Sequence, residues 1–246
     1  MLKIENKAES NAAEIYINGE IIDNNDAAFV QMFDDSENYA WPADLKKQLD
    51  GLKGKDLTVY INSPGGNVFA GVAMASFLKR HDGKTTAVVD GWCCSIATEI
   101  FFACQTRKIP ANAYLMIHKP SAAAQGTSDD MRKTADMLDT IQNGIESVYQ
   151  AAARDDVTAQ DITDMVNAGT WLTGDEAALF FNVEVMQPLD MVACVKGETS
   201  FDHMPKNITL KNANDTVKNR VDDKEKNKCE RLKIDMALIE AEEALT

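Results

Sequence analysis

The sequence has no excess of positive charge. Its 25 lysines and arginines stand against 39 aspartates and glutamates, giving a formal net charge of -14 at pH 7 and a pI near 4.6. Such an acidic chain is a poor electrostatic partner for nucleic acid or an anionic membrane. It also lacks the apolar stretch of a signal peptide, since it opens Met1-Leu2-Lys3-Ile4-Glu5-Asn6-Lys7, and its most apolar internal run, Ile96 to Cys104, is interrupted by Glu99. A cytoplasmic protein with no membrane span is expected. The five cysteines, Cys93, Cys94, Cys104, Cys194 and Cys229, are odd in number and show neither CxxC spacing nor a disulfide framework, which points to buried thiols. Of the three histidines, His81 falls at a predicted helix end and His203 near the start of the mixed-charge tail, so neither builds a metal cluster. No metal or cofactor is implied.

What is present suffices for a core. The 246 residues are 45% hydrophobic and 26% charged, enough apolar surface to offset the entropy of ordering one sizeable α/β domain with an appendage. Charge divides the chain unevenly. Pro205 to Thr246 carries 9 basic and 9 acidic residues with no aromatic and no glycine, so residues 1–204 hold 16 basic against 30 acidic. The expected organisation is a polar segment over 1–12, a domain over 13–190 and a charged extension over 191–246. That extension reads as partly helical or disordered, with Leu232, Met236 and Ile239 at helical spacing near its end. It is either a solvated helix or an arm for assembly or a partner.

Along the domain, two short β-type runs flank an Asn18-Gly19 turn, and a helix is predicted over 42–52, with proline in its first turn and Gly51 near its stop. Leu57-Thr58-Val59-Tyr60-Ile61 reads as a buried strand that breaks at Ser63-Pro64-Gly65-Gly66-Asn67. The helix expected over 68–80 carries Ala70, Gly71, Ala73 and Ala75, small enough for close packing. A strand over 85–89 leads through Asp90-Gly91-Trp92-Cys93-Cys94-Ser95 into an apolar helix over 96–104. Strands around 107–109 and 114–117 then end at His118-Lys119-Pro120. A long helix follows, capped by Thr127 to Asp130, with Met131, Ala135, Leu138, Ile141, Ile145, Val148 and Ala152 on one apolar face. A helix over 159–167, a capping box Thr173-Gly174-Asp175-Glu176 opening a short helix to Phe181, and a strand over 183–186 complete the domain. Alternating strands and helices with right-handed crossovers predict a largely parallel sheet covered by helices.

Three successive strand ends thus deliver polar groups to one edge. A serine hydroxyl is a weak nucleophile unless a base takes its proton and donors hold the oxyanion that forms. Ser95 lies at a strand-to-helix junction, where helical amides are free and the positive dipole end is close. His118 is the one histidine on that edge and the only good base, and Gly65-Gly66 can present backbone N–H groups without side-chain obstruction. Each has a plainer reading: Ser95 as an N-cap, His118 as a strand-end residue bonded to a carbonyl, Pro64-Gly65-Gly66 as an ordinary turn. Their occurrence in this order favours nucleophilic catalysis. Cys93 and Cys94 are alternative nucleophiles, less well placed by the following helix.

Ile61-Asn62-Ser63-Pro64-Gly65-Gly66 with Ala70-Gly71, then Gly91-Trp92-Cys93-Cys94-Ser95-Ile96-Ala97, then Leu115-Met116-Ile117-His118-Lys119-Pro120, resembles the ClpP-type serine protease family, and most of all its phage and prophage members associated with head maturation. The resemblance runs from about Glu14 to Pro188. It implies a ClpP/crotonase-like α/β fold of repeated β-β-α units with a long handle helix. It implies Ser95 as nucleophile, His118 as general base, and the amides of Gly66 and Ile96 as the oxyanion hole. It also implies a homo-oligomeric ring enclosing the sites, peptide or protein substrates, and a separate ATP-dependent unfoldase or phage capsid proteins as partners. One position departs from the pattern. The family's acidic residue stands two places before an aromatic, here Trp171, and Gly169 occupies that place. Asp164, Asn167, a water or a backbone carbonyl is left to orient His118. A ClpP-fold assembly protein with weak or no turnover is therefore the alternative to a peptidase. A crotonase-like acyl-CoA enzyme ranks last, because such enzymes do not work through this serine and histidine order. Gly83-Lys84-Thr85 looks like the end of a P-loop, but Leu78 replaces its first glycine and the order is helix to strand, so no ATP site is expected in this chain.

Overall fold

The computed structural model describes residues 4–6, 11–32 and 38–188. The sheet begins with β1 (Ile4–Asn6), antiparallel to β2 (Ala12–Asn18). β2 runs parallel to β5 (Asp56–Ser63), and β5 runs parallel to β6 (Thr85–Cys94). Both flanking strands alternate in burial: Ala13, Ile15 and Ile17 of β2 and Leu57, Val59 and Ile61 of β5 face the core. On the opposite face Tyr16 and Tyr60 stack at 4.9 Å between ring centroids. The two runs around Gly19 do not form a hairpin with each other. β3 (Glu20–Ile21) instead pairs parallel to β4 (Tyr39–Ala40) in a small second sheet. Gly19, at φ 77°, makes the turn, and a Cβ there would stand 1.8 Å from the Asn38 carbonyl oxygen. Between β3 and β4 lies α1 (Asn24–Met32), a helix whose weak apolar pattern gives little sign of it in the sequence.

The helices α2 (Pro42–Asp50), α3 (Val68–Lys79) and α4 (Ala97–Ala103) supply the other half of the core, which joins Leu45, Leu49, Met74, Leu78, Ile100 and Phe101 to the inward strand residues. Close packing of α3 on α4 depends on Gly71. A Cβ there would lie 2.3 Å from Ile96 Cγ1, so the glycine lets the start of α4 approach.

β6 is longer than its apolar run and serves two neighbours in turn. Thr86 to Val88 pair with β7 (Thr106–Pro110), and Trp92 to Cys94 pair with β8 (Tyr114–Ile117), both parallel. β9 (Thr170–Thr173) closes on β8 antiparallel, and β10 (Glu184–Met186) lies parallel on β7 at the far edge. The sheet is therefore largely parallel, as the alternation of elements predicts. The long helix α5 (Ser128–Ala152) starts on a full capping box between Thr127 and Asp130; each such cap is worth about 1 kcal/mol. The same device opens α6 (Ala159–Ala168) at Thr158 and α7 (Gly174–Phe180) at Thr173.

The apolar stripe of α5 is covered only along its second half. Ile145, Tyr149 and Ala152 are buried, whereas Met131 and Ala135 are exposed and Leu138 and Ile141 half-exposed. Among the described residues no helix is long and apolar enough to cross a membrane. The charged extension over 191–246, with its proposed helical end, Cys194, His203 and Cys229, lies outside the described residues.

Candidate active site

The end of β6 turns directly into α4 at Ser95, which holds φ 54° and is the only non-glycine residue with positive φ among the described residues. Both of its backbone groups are fixed. Its N–H donates to the Met116 carbonyl of β8 at 2.8 Å, and its own carbonyl accepts from Thr98 N–H at 3.0 Å. A left-handed non-glycine residue costs on the order of 1–3 kcal/mol and persists where its surroundings over-determine it. The consequence is a sharp elbow that lifts the Ser95 side chain out of the strand.

β8 is drawn alongside β6 by this pairing and ends at Ile117, so His118 emerges beside the elbow. His118 Nε2 lies 2.7 Å from Ser95 Oγ, hydrogen-bond distance for a hydroxyl donating to an imidazole nitrogen. The residues that the sequence separates by two strands and a helix are in contact. Burial holds the His118 pKa below the ordinary imidazole value of 6.5, so the ring is neutral near pH 7 and can accept a proton. Burial acts oppositely on the neighbouring thiols. Cys93 and Cys94 are fully buried with their pKa values pushed well up, and Cys104 is pushed up to about 12. They are inert thiols rather than competing nucleophiles.

The glycine loop after β5 lies against the same elbow. Gly65, at φ 94°, leaves room where a Cβ would stand 2.7 Å from both Ser95 Cβ and the Cys94 carbonyl oxygen. Ser63 ties the loop down by donating from Oγ to the Gly19 carbonyl at 2.6 Å and accepting from Gly65 N–H at 3.1 Å. Ile21 N–H donates to the Gly65 carbonyl at 2.8 Å, and Asn67 N–H donates to the Ile21 carbonyl at 2.7 Å. Since Ile21 bonds to residues 65 and 67, the intervening Gly66 turns its own N–H away from that strand. Ile96 occupies the N-cap position of α4, ahead of the helical ladder. Among the described residues neither the Gly66 nor the Ile96 amide has a hydrogen bond to an internal acceptor.

Gly169 caps α6 in the left-handed conformation, at φ 65° and ψ 60°. A Cβ built there would lie 3.9 Å from His118 Cβ, in ordinary contact. This position therefore borders the histidine but brings no side chain to it. Of the other candidates, exposed Asp164 accepts from Gln160 at 2.8 Å, and exposed Asn167 accepts from Gln142 at 3.1 Å. Their side chains are engaged along α6 and α5 rather than on the imidazole. Glu99, one turn into α4, is only 6% exposed, and its pKa is raised by burial, with Lys79 acting in the opposite sense.

Several contributors have no clear mark in the sequence. Ser63 was legible only as part of a turn, and Ile21 only as a strand residue. Thr98 sits three residues after Ser95, the spacing of a first helical turn, while its partner Tyr149 is 51 positions away in sequence. Among the described residues no cluster of histidine, cysteine and carboxylate side chains is arranged to hold a metal.

A mixed sheet with a parallel core, carrying a serine elbow, a histidine strand end and a glycine loop on one edge, defines an α/β protein of the ClpP fold class. A ClpP1 mutant from Listeria monocytogenes superposes with a TM-score of 0.57 over 72% of this chain and 92% of that one, at 23% identity. The chain belongs to the Clp protease family, whose profile matches residues 5–181. It is 29% identical over 129 residues to the ATP-dependent Clp protease proteolytic subunit of Bacteroides fragilis, covering 50% of this chain and 60% of that one. It is 30% identical over 137 residues to the proteolytic subunit 3 of Streptomyces coelicolor, covering 54% and 62% respectively. The chain thus matches about three fifths of the length of these relatives.

Proposed function

We propose that the protein is a serine endopeptidase in which Ser95 is the nucleophile and His118 the general base. The observation that carries this reading is the 2.7 Å approach of His118 Nε2 to a serine held at positive φ. The neutral imidazole accepts the Ser95 proton at Nε2 as Oγ attacks a peptide carbonyl. The Gly66 and Ile96 amides then receive the oxyanion of the tetrahedral intermediate. His118 returns the proton to the leaving amine, and water, activated by the same imidazole, hydrolyses the acyl-enzyme and regenerates the hydroxyl.

The uncovered outer half of the α5 stripe supports assembly through this helix into a homo-oligomeric ring around the sites. An ATP-dependent unfoldase is the expected partner of such a ring, a reading supported by the likeness to proteolytic subunits of ATP-dependent Clp proteases. A cytoplasmic setting suits such a partner. Within this reading the domain over 13–190 performs the chemistry, and in a phage-type use the charged tail after Pro205 tethers it during assembly. The phage-type use, maturation of capsid or scaffold proteins, fits such a tether and is separated from general degradation by mass spectrometry of co-expressed capsid proteins. Gly169 favours a second reading, an assembly protein with weak or no turnover.

A fluorophosphonate probe on the full chain tests the central claim. The expected adduct is on Ser95, and Ser95→Ala abolishes both labelling and peptide turnover, a loss of about 10³-fold or more. Undiminished cleavage by the Ser95→Ala protein overturns the assignment, and a folded wild type that neither labels nor cleaves selects the assembly reading.

A further inference from the structure

The bonds that keep Ser95 in its unusual conformation extend one step beyond the elbow. Besides the Thr98 amide, the Ser95 carbonyl accepts from the Thr98 hydroxyl, with Oγ1 at 2.5 Å. A carbonyl can only accept, so the single Thr98 hydroxyl proton is committed to it. Thr98 Oγ1 also lies 2.6 Å from the Tyr149 hydroxyl oxygen. With its proton already directed at Ser95, Thr98 can only accept there, and Tyr149 is the donor. Thr98 is completely buried and Tyr149 is 1% exposed. Burial raises the Tyr149 pKa, which keeps the phenol protonated and able to donate. Its ring is wedged edge-on against Phe102 and Phe181, with centroids 5.7 Å and 6.3 Å away, so the hydroxyl has little freedom to leave.

We propose that Thr98 and Tyr149 are positioning residues, forming a directed relay from α5 through a buried hydroxyl to the Ser95 carbonyl that holds the nucleophile elbow in the geometry His118 requires. The inference rests on the reading of Ser95 as nucleophile and deepens it. A threonine bonding back to a carbonyl in its own first turn is common in helices and by itself signifies nothing. Here the carbonyl belongs to the strained serine, and the relay is anchored from a different element. Because a chain of hydroxyls with fixed direction polarises each successive bond, removing Tyr149 weakens the hold of Thr98 as well.

The test compares Thr98→Val, Thr98→Ser, Tyr149→Phe and the double variant T98V/Y149F in the full chain. Labelling rate with the fluorophosphonate, kcat and KM on a fluorogenic peptide, and Tm are measured on each. The double variant removes both buried partners together and so leaves no unpaired hydroxyl. It is expected to keep a cooperative melting transition while kcat and labelling rate fall at least ten-fold, with KM within two-fold of wild type. T98S restores both rates to within two-fold, and Y149F lowers them about three-fold. A folded double variant with wild-type rates overturns the relay. Should that variant fail to fold, Y149F decides alone, and wild-type rates in it overturn the inference. A wild type unlabelled at Ser95 overturns instead the peptidase reading on which the relay depends.

Discussion

Gly169→Asp places a carboxylate beside the proposed general base, and its consequences can be worked from the geometry. The missing Cβ would lie 3.9 Å from His118 Cβ, so an aspartate extending from it can reach the imidazole. The backbone at φ 65° is left-handed, where an L-residue costs about 1–2 kcal/mol, less for aspartate than for most. Against a domain stability of roughly 5–15 kcal/mol, this loss leaves the protein folded, with Tm lowered by about 2–8 °C. In serine hydrolases the acidic member contributes up to about 10⁴-fold. A grafted acid without its supporting bonds recovers a small part of that, and the expectation is a rise in kcat of about ten-fold at pH 8. The pH profile must move as well. Burial now holds the His118 pKa below its ordinary value, and activity is lost as pH falls through that pKa. An anion within about 4–6 Å favours the imidazolium and raises the pKa by roughly 1–3 units, so the acid limb of the kcat/KM profile shifts to higher pH even as the plateau rises. The assay is kcat/KM on a fluorogenic peptide from pH 4 to 9, with melting curves on the same samples. A folded Gly169→Asp protein with both plateau and acid limb unchanged refutes the argument that residue 169 faces the base.

Three further outcomes follow from other parts of the structure. Gly66→Ala meets the Ile21 carbonyl at 2.2 Å at a φ of 141°, so it should lower stability by about 2 kcal/mol or more and abolish turnover, read by thermal melting and peptide cleavage. Glu99→Gln removes a buried carboxyl whose pKa is raised by desolvation. The folded state holds that proton more tightly than the unfolded state does, so wild-type stability declines as pH rises from about 4.5 through the raised pKa. The variant should therefore melt higher than wild type at pH 8, and the difference should vanish near pH 4. Leu138→Asp puts a charge in the uncovered half of the α5 stripe, and sedimentation analysis should show loss of the proposed ring with an unchanged subunit fold.

The local rules were sufficient for most elements. Thr127, Thr158 and Thr173, each followed three residues later by a carboxylate, start their helices where capping chemistry requires. The alternation in Leu57-Thr58-Val59-Tyr60-Ile61 sets one face of β5 inward, and Pro64-Gly65-Gly66 ends that strand because proline and glycine interrupt a ladder, while Ser95 and His118 directly follow the ends of β6 and β8. The two runs that flank the Asn18-Gly19 turn lie in different sheets. Gly19 N–H donates to the Asn62 carbonyl, and the chain after it leaves the main sheet to pair with β4, a choice that depends on what lies beside the turn.

The sequence by itself determined most of the strands and helices after residue 42 and singled out a candidate nucleophile, a candidate base and a glycine loop, since these depend on periodicity, capping and backbone freedom within a few residues. Only the tertiary structure decided that β6 divides its pairing between β7 and β8, which is what carries His118 to 2.7 Å from Ser95. It also decided that Asp164 and Asn167 are bound to other side chains, that Gly169 borders the histidine, and that Tyr149 reaches Thr98 across the core. These are contacts between residues distant along the chain, set by sheet register and helix packing, and no local pattern encodes them.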